Sequence, residues 1–349
     1  MIRYKNILVT GGAGFIGSNF IRTIFKNSDF DGRIINLDKL TYAGNLESLK
    51  DIEIEFLNKN YFFEHADICN FNEIEKIFVK YNIDCVVHFA AESHVDRSIF
   101  NPREFIDTNI VGTYSLLENS KKQWKDKQGV RFHHVSTDEV YGSLDEKGYF
   151  FEHTSYDPRS PYSASKASSD HIVRAYFHTY NLPITISNCS NNYGPYQFPE
   201  KLISLMIISA ISNKKLPIYG DGKNIRDWLF VEDHCKAIIS ILKNGRNGET
   251  YNIGGNSEKQ NIEVVKTICS ILEKNPNDLI TFIKDRPGHD RRYAINCDKI
   301  KNELGWEPTY SFEEGIKLTI SWYLENLDWV KNIQSGEYKH WIEKNYNNR

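Results

Sequence analysis

The sequence has no Cys-x-x-Cys pair, no excess of charge of one sign, no long apolar run and no internal repeat. Its six cysteines, Cys69, Cys85, Cys189, Cys235, Cys269 and Cys297, are scattered along the chain. That excludes a thiol-ligated zinc site and a disulfide frame, and points to reduced thiols in the cytoplasm. A net charge of -3 gives nucleic acid no electrostatic handle. The longest apolar stretch, Leu202–Ile211, is broken by Ser204 and Ser209 and is far shorter than the roughly 20 residues that cross a bilayer. No membrane partner is therefore expected. The chain runs straight into an apolar strand at Ile7, so no signal peptide is expected. His88, His133 and His134 have no ligand spacing with nearby acids; they read as packing residues, and no metal is expected. Asn188-Cys189-Ser190 matches a glycosylation sequon by chance.

What is present is globular. Hydrophobic residues make up 40% and charged residues 26%, and 349 residues suffice for two domains or one large one. Residues 10–19 read Thr-Gly-Gly-Ala-Gly-Phe-Ile-Gly-Ser-Asn, between the apolar run Ile7-Leu8-Val9 and an amphipathic stretch from Phe15 to Phe25. That is strand, glycine turn, helix. Gly11, Gly14 and Gly17 permit a tight turn and close backbone approach, and the helix N-terminus favours an anion such as a pyrophosphate. The second apolar run, Ile34-Ile35-Asn36-Leu37, ends at Asp38, about twenty residues further on. A carboxylate there accepts the ribose hydroxyls of the adenosine half and repels a 2′-phosphate, which selects NAD over NADP. Lys39 beside it weakens that repulsion.

The first half of the chain continues to alternate strand and helix patterns. Strands are expected at 61–65, 85–89, 131–135 and 184–189. Helices are expected at 72–81, from Pro102 to about Lys122, and at 162–180. Repeated units of this kind predict an α/β, Rossmann-like, doubly wound parallel sheet with ligands at the carboxyl ends of its strands. After Asn192 turn-rich pieces appear at 193–199, 217–223 and 252–256, with helical patterns at 201–212, 232–242, 262–272 and 312–324. A charged loop covers 285–292. This half is expected to form a smaller mixed C-terminal substrate domain. The division is 1–192 plus part of 228–253 for the nucleotide, and 193–227 with 254–349 for the substrate. The last stretch, with Trp329, Tyr338 and Trp341, reads as a docked helix with a polar tail at 345–349.

Two constellations carry chemistry. Tyr162 and Lys166 stand four apart on one face of a helix. A free tyrosine titrates near about 10, and a neighbouring ammonium would lower that, making a base that strips a hydroxyl proton while hydride leaves the same carbon. Ser136-Thr137-Asp138-Glu139 ends a strand, where the fold faces its ligand. Adjacent carboxyls push one pKa up, so one can serve as acid and the other as base. Thr137 can hydrogen-bond the reacting oxygen.

Together with Asp38-Lys39-Leu40-Thr41-Tyr42-Ala43-Gly44-Asn45, Ala90-Ala91-Glu92-Ser93-His94-Val95-Asp96-Arg97-Ser98, Ser190-Asn191-Asn192-Tyr193-Gly194-Pro195-Tyr196-Gln197 and Asp285-Arg286-Pro287-Gly288-His289-Asp290, these motifs resemble the sugar-nucleotide dehydratases of the extended short-chain dehydrogenase/reductase family over nearly the whole chain. A small departure is Cys69-Asn70, where similar enzymes often carry another acid. The resemblance implies NAD as a retained cofactor and dTDP-glucose as substrate. Its C4 is oxidised with Tyr162 as base, Lys166 in support and Thr137 on O4. Glu139 takes the C5 proton, Asp138 protonates the departing C6 hydroxyl, and hydride returns to C6.

It also implies that Gly11, Gly14, Phe15, Ile16, Gly17, Asp38, Lys39, Leu40, Thr41, Asp67, Ile68, Phe89, Ala90, Ala91, Ser93, Thr108, Tyr162, Lys166 and Asn192 hold the cofactor. Ser93, Thr137, Asn191, Lys201, Leu202, Pro217, Tyr219, Arg226, Asn261, Arg286, His289 and Tyr293 would hold the sugar nucleotide. It implies a homodimer through a four-helix bundle, with Phe105, Ile106, Ile110, Tyr114 and Leu117 on one apolar face; the same face could instead cover the sheet. A 4-epimerase, a dehydratase of UDP- or CDP-sugars and a silent NAD-binding regulator are the alternatives. An epimerase has no use for Asp138-Glu139, and a silent regulator would be expected to lack Tyr162 or Lys166.

Overall fold

A computed structural model describes residues 2–26 and 29–333. The chain begins with β1 (Asn6–Thr10), α1 (Phe15–Lys26), β2 (Arg33–Asp38), a 3-10 turn (Leu46–Leu49), α2 (Lys50–Phe56), β3 (Tyr61–His65), α3 (Phe71–Tyr81) and β4 (Cys85–His88). Then come α4 (Val95–Phe100), α5 (Pro102–Phe105), a π-helical segment (Ile106–Gly112), α6 (Thr113–Gln123), β5 (Arg131–Thr137), a 3-10 turn (Asp138–Tyr141), α7 (Pro161–Tyr180) and β6 (Ile184–Cys189). The remainder holds β7 (Asn191–Tyr193), α8 (Leu202–Ile211), β8 (Leu216–Tyr219), β9 (Ile225–Phe230), α9 (Val231–Asn244), β10 (Thr250–Ile253), β11 (Glu258–Gln260) and α10 (Asn261–Ile271). It ends with α11 (Pro276–Leu279), β12 (Ile280–Ile283), α12 (Asp298–Leu304), α13 (Phe312–Glu325) and α14 (Leu327–Ile333).

Seven strands form one parallel sheet in the order β10-β6-β5-β4-β1-β2-β3. Helices cover both faces, so the central strands are buried throughout; β1 and β4 read as apolar runs, while β5 and β6 bury polar side chains as well. From β1 the chain builds outward in one direction through β2 and β3, then returns to the other side at β4. The crevice at that reversal, beyond the carboxyl ends of β1 and β4, is where such sheets bind ligands.

Two small sheets lie beyond it. In one, β9 pairs antiparallel with β11 and parallel with β7; in the other, β8 and β12 run parallel. Their own core packs α8, α10 and α13 around Met206, Trp228, Phe312 and Tyr323. The apolar stretch Leu202–Ile211 is α8, buried from Ile203 to Ala210. Among the described residues no helix is long and apolar enough to cross a membrane. All six cysteines are unpaired. Asn188 of the chance sequon is fully buried in β6.

Three expectations need revision. β5 runs two residues further than the expected 131–135, taking Ser136 and Thr137 into the strand. The turn-rich pieces at 217–223 and 252–256 begin inside short strands, β8 and β10. The single helix expected from Pro102 is instead α5, a π segment and α6. Asn109 explains that interruption. Its side chain both accepts from the Glu92 amide and donates to the Glu92 carbonyl, and its amide also donates to Ser165 Oγ. Thr113 Oγ1 caps the Asn109 carbonyl. Tethering mid-helix to two other segments widens the turn, as π segments at functional sites commonly do. Near the end of the chain, Trp329 on α14 packs against Tyr196, Trp322 and Tyr323 and donates to Ser48 Oγ. Tyr338, Trp341 and the tail at 345–349 lie outside the described residues.

Candidate active site

A cleft of about 1160 Å³ opens at the switch point. Its floor is the glycine turn. Gly11 has φ +71°, and a Cβ there would sit 2.7 Å from the Ala90 amide. A Cβ on Gly17 would come within 2.3 Å of the Gly11 carbonyl oxygen. Gly14 meets nothing closer than 3.2 Å and faces the cleft. The first and third glycines therefore set the turn, and the second leaves backbone open to a ligand. This cradle suits a pyrophosphate. Asp38, 8% exposed, ends β2 at the same cleft. It accepts from the Ala13 amide at 2.9 Å and the Leu40 amide at 2.8 Å. Burial raises its pKa against those two hydrogen bonds. Lys39 pairs with Asp67 at 2.6 Å on the rim.

The reactive end lies across the strand ends. Ser160 caps α7 with a reciprocal Ser160–Ser163 capping box, and Pro161 fills the first helical position. That start places Tyr162 in the first turn and Lys166 in the next, both buried and both lining the cleft. Thr137 closes β5, and its hydroxyl accepts from the Glu139 amide and donates to Asp138 Oδ1 at 3.4 Å. Asp138 is 1% exposed and its Oδ2 is buried without a partner.

The two acids sit in different fields. Burial pushes Asp138 well above the usual carboxylate range, and the charges of Glu139 and Asp227 add to it. Burial also raises Glu139, but Arg286, Lys201 and Arg226 oppose that. Tyr162 is pushed well above the ordinary phenol by burial and by Glu139, with Thr137 pulling the other way. Burial lowers Lys166, against the charge of Asp170, and its Nζ donates to the Val135 carbonyl at 2.8 Å. The expected lowering of the phenol by Lys166 is thus absent from this state. Desolvation and nearby acids dominate, and the ammonium is engaged by β5.

Of the cofactor residues named from the sequence, all but Leu40 line the cleft. Leu40 instead turns the chain at φ +53° and gives its amide to Asp38. Of the substrate residues, Ser93, Thr137, Asn191, Lys201 and Leu202 line it. Arg226, Arg286, His289, Tyr219 and Tyr293 form an adjoining cluster. Arg226 stacks over Tyr293 at 4.3 Å, Arg286 lies 3.8 Å from Asp96, Tyr219 donates to Asp96, and the Tyr219 and His289 rings meet edge-on. The charges of Arg226 and Arg286 reach Glu139. Pro217 lies in β8 and Asn261 starts α10, both outside the cleft lining; Asn261 Oδ1 is buried without a partner.

The expected packing histidines are buried in hydrogen-bonded pairs: His88 with Thr10 and Thr113, His133 with Thr185, His134 with Ser169 and Asp170. Among the described residues no cluster of three or more His, Cys, Asp or Glu side chains is arranged for a metal. Sequence reasoning missed Tyr42, Arg97, Gln197, Glu200 and Trp228, which all line the cleft. Tyr42 and Arg97 stand inside motifs that were recognised, but only their long-range contacts reveal a role.

A family profile described as GDP-mannose 4,6 dehydratase matches residues 8–319. The chain is 56% identical to a dTDP-glucose 4,6-dehydratase of Shigella flexneri, over 98% of this chain and 99% of that one. A dTDP-glucose 4,6-dehydratase of Bacillus anthracis, solved with NAD, superposes with a TM-score of 0.86 at 50% identity, covering 94% of this chain and 99% of its own. One from Streptomyces venezuelae, also with NAD bound, gives a TM-score of 0.89 at 43% identity and the same coverage. The glycine cradle, the Tyr162–Lys166 helix and the paired acids thus stand in a chain that belongs to the dTDP-glucose 4,6-dehydratase family, NAD-dependent enzymes of the extended short-chain dehydrogenase/reductases.

Proposed function

We propose that the protein is a hydro-lyase converting dTDP-D-glucose to dTDP-4-keto-6-deoxy-D-glucose and water. The observation that carries this reading is the Thr137-Asp138-Glu139 group facing the same cleft as Tyr162, with the two acids in unlike electrostatic fields. The glycine turn and Asp38 would hold NAD, which would supply the hydride acceptor for C4 and the hydride donor for C6.

Tyr162 takes the proton from the O4 hydroxyl, with Thr137 hydrogen-bonded to that oxygen. Only the Tyr162 phenolate can accept that proton; burial opposes the phenolate, and Lys166 is the residue assigned to stabilise it in the loaded site. The resulting 4-ketone acidifies the C5 hydrogen. Glu139, kept closer to ionisation by Arg286, Lys201 and Arg226, removes it, and a proton returns to C5 when hydride is delivered to C6. Asp138, kept protonated by burial, protonates the departing C6 hydroxyl. Two carboxyls whose surroundings drive their pKa values apart can divide acid and base work at one pH. Arg226 and Arg286 suit the diphosphate, arginine being the better bidentate donor.

The division into a nucleotide-binding domain, 1–192 with part of 228–253, and a substrate domain, 193–227 with 254–349, is supported by the separate core around α8, α10 and α13. The exception is that Tyr293, Ile295, Cys297, Ile300 and Trp306 pack into the core of the large sheet, so 293–306 goes with the nucleotide-binding half. A homodimer through a four-helix bundle is supported by Ile106, Val111 and Tyr114, all more than 40% exposed on the helical run after Pro102. Phe105 and Leu117 of the same expected face are already buried within the chain, because the π segment splits the stripe. Six unpaired cysteines accord with a cytoplasmic location.

Incubation with dTDP-, UDP- and CDP-glucose without added cofactor, followed by mass analysis, tests the reading. Loss of one water from the dTDP-sugar alone is expected. Inversion at C4 without loss of water would favour the epimerase instead, a reading that leaves Asp138 and Glu139 without work.

A further inference from the structure

Tyr42 lies in the loop after β2, on the wall of the cleft that carries Asp38. Glu200 lies just before α8, lines the same cleft, and is 5% exposed. The Tyr42 hydroxyl donates to Glu200 Oε1 at 3.0 Å, joining residues 158 positions apart. Arg97, from the first turn of α4, places its guanidinium 3.4 Å from the Tyr42 ring centroid and its Nε 3.6 Å from Glu200 Oε2. Phe198 meets the Tyr42 ring edge-on at 5.5 Å. Two further contacts tie the nucleotide-binding half to the segment before α8. Asn19 on α1 donates to the Pro195 carbonyl, and Arg22 stacks on Tyr196 at 4.2 Å. None of these side chains has work in the chemistry above.

We propose that Tyr42, Glu200 and Arg97 form a clasp across the cleft that keeps NAD from leaving between turnovers. The inference rests on the reading of the cleft as an NAD site. The physical need is plain: a reaction that borrows hydride and returns it fails if the cofactor leaves in its reduced form. The tie is one hydrogen bond from a phenol to a buried carboxyl and one guanidinium charge 3.6 Å from its other oxygen; a hydrogen bond to a charged group is worth more than a neutral one. It joins the adenosine wall to the segment leading into the substrate-binding half, so the ligand can depart only when the tie opens. Burial pushes Glu200 up to about 7, so its charge is sustained by these partners and by Lys201.

The test uses the holoenzyme as purified, with Tyr42→Phe and Glu200→Gln, which keep size and shape. NAD release is followed by trapping free NAD with an excess of an NAD-consuming dehydrogenase. Release about 10- to 100-fold faster than wild type is expected in both variants, the range for losing a hydrogen bond to a charged group. Turnover should recover with added NAD, and the NAD-stripped variants should stay folded, melting lower by no more than the loss of one hydrogen bond. Wild type that retains NAD while both variants release it at the same rate overturns the clasp alone. Wild type that neither carries nor binds NAD overturns the cofactor reading and the clasp with it. Faster release accompanied by loss of folded protein in the stripped variants also overturns it, since the side chains would then act on the fold.

Discussion

Asp138→Asn separates the acid from its shape. The side chain is 1% exposed, one oxygen lies 3.4 Å from the Thr137 hydroxyl, and the other is buried without a partner. Asparagine fits that space but has no proton to give to a leaving hydroxyl. General-acid catalysis is worth about 10²- to 10⁴-fold, or about 3 to 5 kcal/mol of barrier. Turnover should fall by that factor while C4 oxidation survives, so enzyme-bound NADH should build up when substrate is added in a single-turnover experiment.

A second readout follows from linkage. In the unfolded chain Asp138 ionises near about 3.9. In the folded protein burial raises that value. Folding is therefore unpenalised below the unfolded pKa and loses stability as pH rises through the folded one. The amide side chain of the Asp138→Asn variant carries no such penalty, so the variant should melt higher than wild type, by a margin that widens as pH rises above about 4, the unfolded carboxyl value. Turnover within tenfold of wild type, or a melting difference independent of pH, would refute the buried-acid argument.

Glu139→Gln should also oxidise C4 but leave the C5 hydrogen in place, giving accumulated NADH and no exchange of C5 hydrogen with deuterated water. Tyr162→Phe should abolish NADH formation together with turnover; unimpaired NADH formation would remove the tyrosine from its role as base. Gly17→Ala forces a Cβ against the Gly11 carbonyl. It should cost about 1 to 3 kcal/mol in stability and empty the protein of NAD, measured by melting and by the cofactor content of the purified protein. Val111→Glu places a charge on the exposed face of the π segment and should shift sedimentation from dimer to monomer; an unchanged dimer would move the interface elsewhere.

The first half of the fold was readable because a sheet covered on both faces demands continuous apolar runs. Ile7-Leu8-Val9 and the run from Cys85 give just that, and turns with glycine or acids mark their ends. The second half was not, because Glu258-Lys259-Gln260 and Asn191-Asn192-Tyr193 form strands of three largely polar residues, held by neighbours rather than by any pattern of their own. The π segment was invisible for a similar reason: its cause, the Asn109–Glu92 tether, spans 17 residues and leaves no periodic trace. Thr137-Asp138-Glu139 and Tyr162-Lys166 were legible as chemistry from residue type, spacing and the family resemblance together. Their fields were not, since Arg226 and Arg286 reach Glu139 from distant parts of the chain.

Asp38 carries a lesson for anyone wishing to redesign the enzyme toward a phosphorylated dinucleotide. Its two oxygens are the hinge pins for the Ala13 and Leu40 amides, so the residue assigned to reject the extra phosphate also fastens the two turns around it. Replacing it with a small neutral side chain would strand both donors, at about 1 to 3 kcal/mol each if they stay dry. A successful switch of nucleotide preference must therefore bring new acceptors for those amides as well as a cation for the phosphate.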